Sequence, residues 1–116
     1  IISGCSDVSR MLFEADVFIS LSSLEGFPNS LLEAVSSGVP SMAYDCDFGP
    51  SEILAGGSAG QLLSSLDSTY IEEAIRAFSS NYQRRLKFSK NGLSHSYHSY
   101  SSQKVLSKWL LMIEQL

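Results

Sequence analysis

The sequence predicts an α/β fold, a small parallel sheet flanked by helices with extra helices at the C-terminal end. Three observations lead there. Short apolar runs alternate with helical stretches along the first half of the chain. The run Val17-Phe18-Ile19 is contiguous, as in a strand buried on both faces of a parallel sheet. Proline and glycine punctuate the helices, with Pro28 and Pro50 at starts and Gly38 at a stop.

Each element follows in order. "IISG" reads as a strand end that stops at Gly4. In "DVSRMLFEA", Val8, Met11, Leu12 and Ala15 share helical spacing, and Asp7 can cap the start. "DVFISLS" is the next strand, and "LEGF" turns around Gly26. The helix "PNSLLEAVSS" begins at Pro28, whose missing N–H is harmless in a first turn. "VPSMAY" is a strand, "GPSEIL" a short helix, "GGSAG" a turn and "QLL" a last strand. The remainder reads as helices: "STYIEEAIRAFSS", "NYQRRLKFSKNGL" and "SSQKVLSKWLLMIEQL". In the last of these Val105, Trp109, Met112 and Leu116 form an apolar stripe, widened by Leu106, Leu110 and Ile113.

The 116 residues suit a single domain spanning 1–116, and neither a repeat nor a linker interrupts them. Hydrophobic residues at 44% and charged residues at 17% are an ordinary globular mixture. A net charge of −4 argues against a nucleic-acid partner or a basic membrane-binding patch. Cys5 and Cys46 lack metal-ligand spacing and read as reduced thiols, which fits a cytoplasmic protein. No apolar run reaches the roughly 18 residues of a membrane span. The chain does not begin with methionine, so it is expected to be a segment of a longer protein.

Chemistry concentrates in "EGFPNSLLEA" at 25–34. A helix N-terminus carries partial positive charge and unpaired N–H groups. The helix entered at Pro28 therefore offers the amides of Asn29, Ser30 and Leu31 to an anion such as a diphosphate. Gly26 lets the backbone approach a ligand closely. Glu25 stands before the helix and Glu33 about one turn inside it. A carboxylate can accept bonds from vicinal hydroxyls, each contributing roughly 1.5–3 kcal/mol. One carboxylate for a sugar, one for a ribose and amides between them match a nucleotide diphospho-sugar. The bland alternative makes Glu33 an exposed helix residue and Glu25 a complement to the positive helix end.

Other candidates carry less. His95 and His98 are spaced H-x(2)-H but lack partner ligands, so no metal is expected. Ser94, His95 and Ser96 lack a nucleophile elbow and read as a polar loop. "QRRLK" at 83–87 reads as a solvated helix face. Tyr97, Tyr100 and Trp109 are expected to pack against the fold or against a further domain.

The string "ADVFISLSSLEGFPNSLLEAVSSGVPSMAYDCDFGPSEIL" resembles the C-terminal donor-binding domain of retaining GT-B glycosyltransferases, glycosyltransferase family 4 (group 1). The resemblance spans roughly residues 1–66 and rests on Glu25, Gly26, Phe27, Pro28, Asn29 and Glu33, the E-x(7)-E motif. Gly38, Pro40, Gly49, Pro50, Glu52 and Ile53 continue it. "SYSSQKVLSKW" resembles the family's aromatic-Ser lead into its last helix. Asp47 departs from the pattern, since similar sequences often carry proline after the cysteine.

The resemblance implies a half-Rossmann-like sheet. It implies that Glu25 binds hydroxyls of the transferred sugar near the anomeric carbon and that Glu33 holds the ribose. Gly26, Phe27, Pro28 and the amides of Asn29, Ser30 and Leu31 would frame sugar and diphosphate. It further implies retention of configuration, no cofactor beyond the nucleotide diphospho-sugar as donor substrate, and a carbohydrate or lipid-linked acceptor. Surface polysaccharide biosynthesis, in the cytoplasm or at the inner membrane face, belongs to the same expectation. In such proteins an upstream loop supplies an arginine and a lysine for the leaving diphosphate, and an N-terminal domain binds the acceptor. The final helix crosses back to that domain. The chain alone is accordingly expected to be catalytically silent. The same scaffold also fits a non-catalytic nucleotide- or sugar-binding or interaction module. The acidic pair argues against a third reading, a nucleotide-sugar epimerase.

Overall fold

A computed structural model describes residues 7–115. The expected strand end at Gly4, with Cys5, and the last stripe residue Leu116 lie outside the described residues. In chain order come α1 (Val8–Glu14), β1 (Phe18–Ser20), α2 (Asn29–Ser36), β2 (Ser41–Tyr44), α3 (Pro50–Ile53) and a 3-10 turn at Ala55–Gly57. Then follow β3 (Gln61–Leu63), α4 (Ser68–Ser80), α5 (Tyr82–Tyr100) and α6 (Ser102–Glu114).

The strands form one parallel sheet in the order β1-β2-β3, with Phe18 opposite Ser41 and Met42 opposite Gln61. Because all strands run the same way, the loops leaving their carboxyl ends share one edge of the sheet. Residues 21–28, 45–49 and 64–67 make up that edge.

Period-two alternation along β2 feeds two cores. Ala43 packs with Leu31, Val35, Ile53 and Leu54 on the α2 and α3 side. Met42 packs with Leu63, Phe78 and Phe88 on the α4 and α5 side. The Phe78 and Phe88 rings stack at 5.8 Å. Burial on both faces thus holds for the middle strand. It fails for β1, where Ile19 is 36% exposed. Among the described residues β1 pairs only with β2, so one of its edges carries no strand.

Caps fix the helix ends. Asp7 accepts from the Arg10 amide at 3.0 Å, as its position before α1 predicts. Gly38, at φ +79°, ends α2 in a Schellman turn, with the Val39 amide on the Ala34 carbonyl and the Gly38 amide on the Val35 carbonyl. The basic cluster "QRRLK" is not wholly a solvated face. Arg85 donates to the Phe78 carbonyl at 3.1 Å and to the Ser79 carbonyl, closing the end of α4.

The expected polar loop around Ser94–Ser96 is instead helix, since α5 continues unbroken to Tyr100. Gly92 lies inside α5 at its crossing with α2, where a Cβ would sit 3.0 Å from Val35 Cγ1. Hydroxyls beyond it fold back onto the helix, Ser96 Oγ donating to the Leu93 carbonyl at 3.1 Å. Serine frequency misleads here because those donors find partners within the helix.

No residue of α6 is buried. Trp109, Leu110 and Met112 are each at least half exposed. The apolar stripe exists as spaced, and nothing among the described residues covers it.

Gly60 has no room for a side chain. A Cβ there would meet Leu54 Cδ2 at 2.5 Å and the Ser41 carbonyl at 2.8 Å. Gly60→Ala should lower stability by about 1–3 kcal/mol, the range for overpacking a filled core. Urea melts followed by far-UV circular dichroism would measure it. An unchanged midpoint would mean that β2 and β3 are spaced more loosely than described.

Candidate functional site

The segment between β1 and α2 and the start of α2 itself carry the candidate residues, next to the carboxyl edge of the sheet. Helix α2 forms there because Leu31, Ala34 and Val35 recur at helical spacing and bury completely or nearly so. That burial aims the N-terminus of the helix at the edge. Pro28 occupies the position before the first helical residue rather than the first turn itself, one step from where its lack of an N–H suggested. The first intrahelical bond runs from the Leu32 amide to the Pro28 carbonyl at 3.1 Å. Among the described residues no side chain caps this end. The amides of Asn29, Ser30 and Leu31 precede that first bond, as the orphan donors of a helix start do. Asn29 and Ser30 are exposed, while the Leu31 side chain is fully buried and leaves only its backbone to the site.

Glu25 is half-buried before the helix and Glu33 is exposed on it. Around Gly26 the space is open, with no atom within 4 Å of where a Cβ would stand. Next to it the chain is tightly held. Pro28 is buried, and a Cβ on Gly49 would fall 2.3 Å from Pro28 Cδ. Gly49 is at φ +96°, a conformation that glycine adopts without strain. The loops before α2 and α3 therefore touch at this pair.

Phe27 is 40% exposed and leans on Tyr100, with ring centroids 6.0 Å apart. Tyr100 closes α5 and packs against the core beneath α2. His95 meets its ring edge-on at 5.9 Å. The His95 Nε2–H donates to the Glu52 carbonyl at 2.9 Å, since a carbonyl can only accept. Ser99 Oγ lies 3.4 Å from His95 Nδ1. His98 turns elsewhere, its Nδ1 bonding the Ser94 carbonyl at 2.7 Å. The two histidines therefore do not converge, and among the described residues no group of His, Cys, Asp and Glu could hold a metal. Cys46 is a free thiol.

Tyr100, His95 and Glu52 were not predicted as one group. Their spacing of 43 residues between His95 and Glu52 gives no local signal. The Tyr100 hydroxyl is buried without a hydrogen-bond partner among the described residues, and Glu52 lies near it without making a bond of ordinary geometry. Burial, joined by the negative charge of Glu52, pushes this hydroxyl up to about 12.

A separate apolar cleft of about 530 Å³ lies between Leu21 and the Leu66, Ile71 and Ile75 side of α4, and none of residues 25–33 lines it.

Comparisons with known proteins bear on the family and the fold. Residues 1–95 match the family of Glycosyl transferases group 1. The GtfA subunit of a UDP-N-acetylglucosamine–peptide N-acetylglucosaminyltransferase from Streptococcus pneumoniae serotype 4 is 25% identical over 121 residues, 99% of this chain and 24% of that protein. S. aureus TarM, solved in complex with fondaparinux, alpha-GlcNAc-glycerol and UDP, superposes with a TM-score of 0.82 at 24% identity, covering 91% of this chain and 22% of its own. The C-terminal domain of LpcC from Francisella tularensis gives 0.74 at 24% identity, over 88% of this chain and 52% of its own. The chain spans at most about a quarter of the length of the first curated relatives it matches. The fold is that of GT-B C-terminal domains, a half-Rossmann-like parallel sheet flanked by helices.

The Tyr100 hydroxyl gives a pH prediction. Its folded value of about 12 lies above the ordinary 10, so the stabilising difference is whole below pH 10 and is lost as pH rises toward 12. Tyr100→Phe removes that titration and a buried unpartnered hydroxyl. Its melting temperature should equal or exceed wild type at pH 7, and its advantage should grow between pH 10 and 12. Parallel melting curves for the two proteins would place the hydroxyl in solvent.

Proposed function

The chain belongs to the Glycosyl transferases group 1 family, and from that premise we propose that it is part of the C-terminal donor-binding domain of a GT-B glycosyltransferase. The proposed reaction moves a glycosyl group from a nucleotide diphospho-sugar to a carbohydrate or lipid-linked acceptor, with retention of configuration. The observation that carries it is the uncapped start of α2. The amides of Asn29, Ser30 and Leu31, which precede the first intrahelical bond, lie in the chain between Glu25 and Glu33 and follow the open space at Gly26.

The reading assigns each residue a role. The helix-start amides would take the diphosphate, where the partial positive charge of the helix end favours an anion. Glu33 would accept from the ribose hydroxyls. Glu25 would accept from hydroxyls of the transferred sugar and stand near the anomeric carbon. Phe27 and Pro28 would hold the backbone between them in shape. The leaving phosphate would assist attack from the face it departs, so no covalent intermediate on Glu25 is needed. Stabilising charge on that leaving group is the largest electrostatic requirement of such chemistry. An upstream arginine and lysine would supply it in the parent protein, together with an acceptor-binding domain that α6 would reach.

Support comes from relatives of the same class. The GtfA subunit is named for UDP-N-acetylglucosamine and TarM was solved with UDP. A solved GtfA/B complex also superposes on this chain. The donor here is read as a nucleotide diphospho-sugar with no separate cofactor, and the working compartment as cytoplasmic or the inner membrane face.

Isothermal titration against UDP-N-acetylglucosamine, UDP-glucose, GDP-mannose and ADP-glucose tests the reading. Weak binding of one donor is expected. Glu33→Ala should weaken it about ten-fold or more, the loss of charge-assisted hydrogen bonds. Phe27→Leu should cost less. Equal losses would remove the ribose contact from Glu33, and silence toward all four donors would refute the donor site.

A further inference from the structure

Resting on the donor-site reading above, we propose that Tyr100 is a positioning residue for the sugar end of that site, acting through Phe27. The segment from Glu25 to Pro28 has unequal support. Gly26 has open space about it, and Pro28 is wedged against Gly49. Between these lies Phe27, whose ring leans on Tyr100. With Pro28 fixed, the direction in which the backbone leaves toward Gly26 and Glu25 depends on where the Phe27 ring is held.

Tyr100 is itself well anchored. It packs against the core of Leu31, Val35, Ala43, Ile53 and Leu54. His95 supports it edge-on and is bonded to the Glu52 carbonyl of α3. Tyr100 also ends α5, and the extended Ser101 that follows is the residue before α6. One ring thus joins the loop before α2, the helix α3 and the root of the last helix. The hydroxyl makes no hydrogen bond among the described residues, so the proposal rests on the ring.

Because Glu25 lies before the contact and the α2 amides and Glu33 lie after it, loss of the ring separates the two ends of the donor. The sugar end should suffer while the nucleoside diphosphate end holds. Offset and tilted aromatic pairs contribute enough to shift such an equilibrium about five-fold.

The experiment titrates the 116-residue chain with the four nucleotide-sugars named above, each beside its own nucleoside diphosphate. In wild type the sugar adds affinity over the bare diphosphate. Tyr100→Ala should cut that increment about five-fold and leave diphosphate affinity within two-fold. Tyr100→Phe should restore the wild-type increment, and Tyr100→Leu, which keeps the core filled, should behave like the alanine variant if the ring is what matters. Phe27→Ala combined with Tyr100→Leu should lose no more than either alone. An unchanged increment in Tyr100→Leu, or equal loss of sugar and diphosphate binding, overturns the positioning role while leaving the donor site intact. A wild-type chain that binds none of the probes overturns the donor site and this role with it.

Discussion

The meeting of Pro28 with Gly49 is the contact on which the candidate site depends. Two loops leave the sheet at neighbouring strands and must start helices side by side. The proline ring fills the space a side chain at 49 would need, and Gly49 turns through a left-handed conformation to admit it. A residue with a Cβ at 49 would push the start of α2 away from that of α3. The direction of the α2 amides would move with it, and so would the spacing between Glu25 and Glu33. The site's geometry is thus set by a steric fit between two residues that carry no charge.

Helix α5 is the brace behind this fit. It crosses α2 at Gly92, reaches the turn after α3 where Asn91 donates to the Ser58 carbonyl at 2.7 Å, and ties α3 through His95. At its end Tyr100 reaches the loop of Phe27. Four separate segments are therefore held by one rod of 19 residues. Its polar face, rich in serine, makes local hydrogen bonds, so its few apolar contacts fall where the rod must touch.

Much of the fold was legible because local rules decide it. Asp7 caps α1, Gly38 ends α2, and contiguous apolar runs become parallel strands. The acidic pair and the helix start between them were legible for the same reason, since spacing and proline placement act within a few residues. Three features were not. The exposure of Ile19 depends on which strand neighbours β1, a fact no local pattern carries. The helix through Ser94–Ser96 continues past the fit of Gly92 against Val35, a contact across 57 positions of chain that no local pattern shows. The grouping of His95, Glu52 and Tyr100 likewise joins distant segments, and only packing reveals it.

Helix α6 draws a different lesson from its bare apolar stripe. Thirteen residues without a single buried one have little beyond backbone hydrogen bonds to hold them, and helices of that length are marginal in water. Its local opening free energy should sit near the bottom of the range in this chain, far below that of β2. Amide hydrogens there would exchange with solvent long before those of the core strand. Whatever surface shields the stripe would turn a fraying tail into a cooperative part of the whole, so the stability of this helix is a property of its contact more than of its sequence.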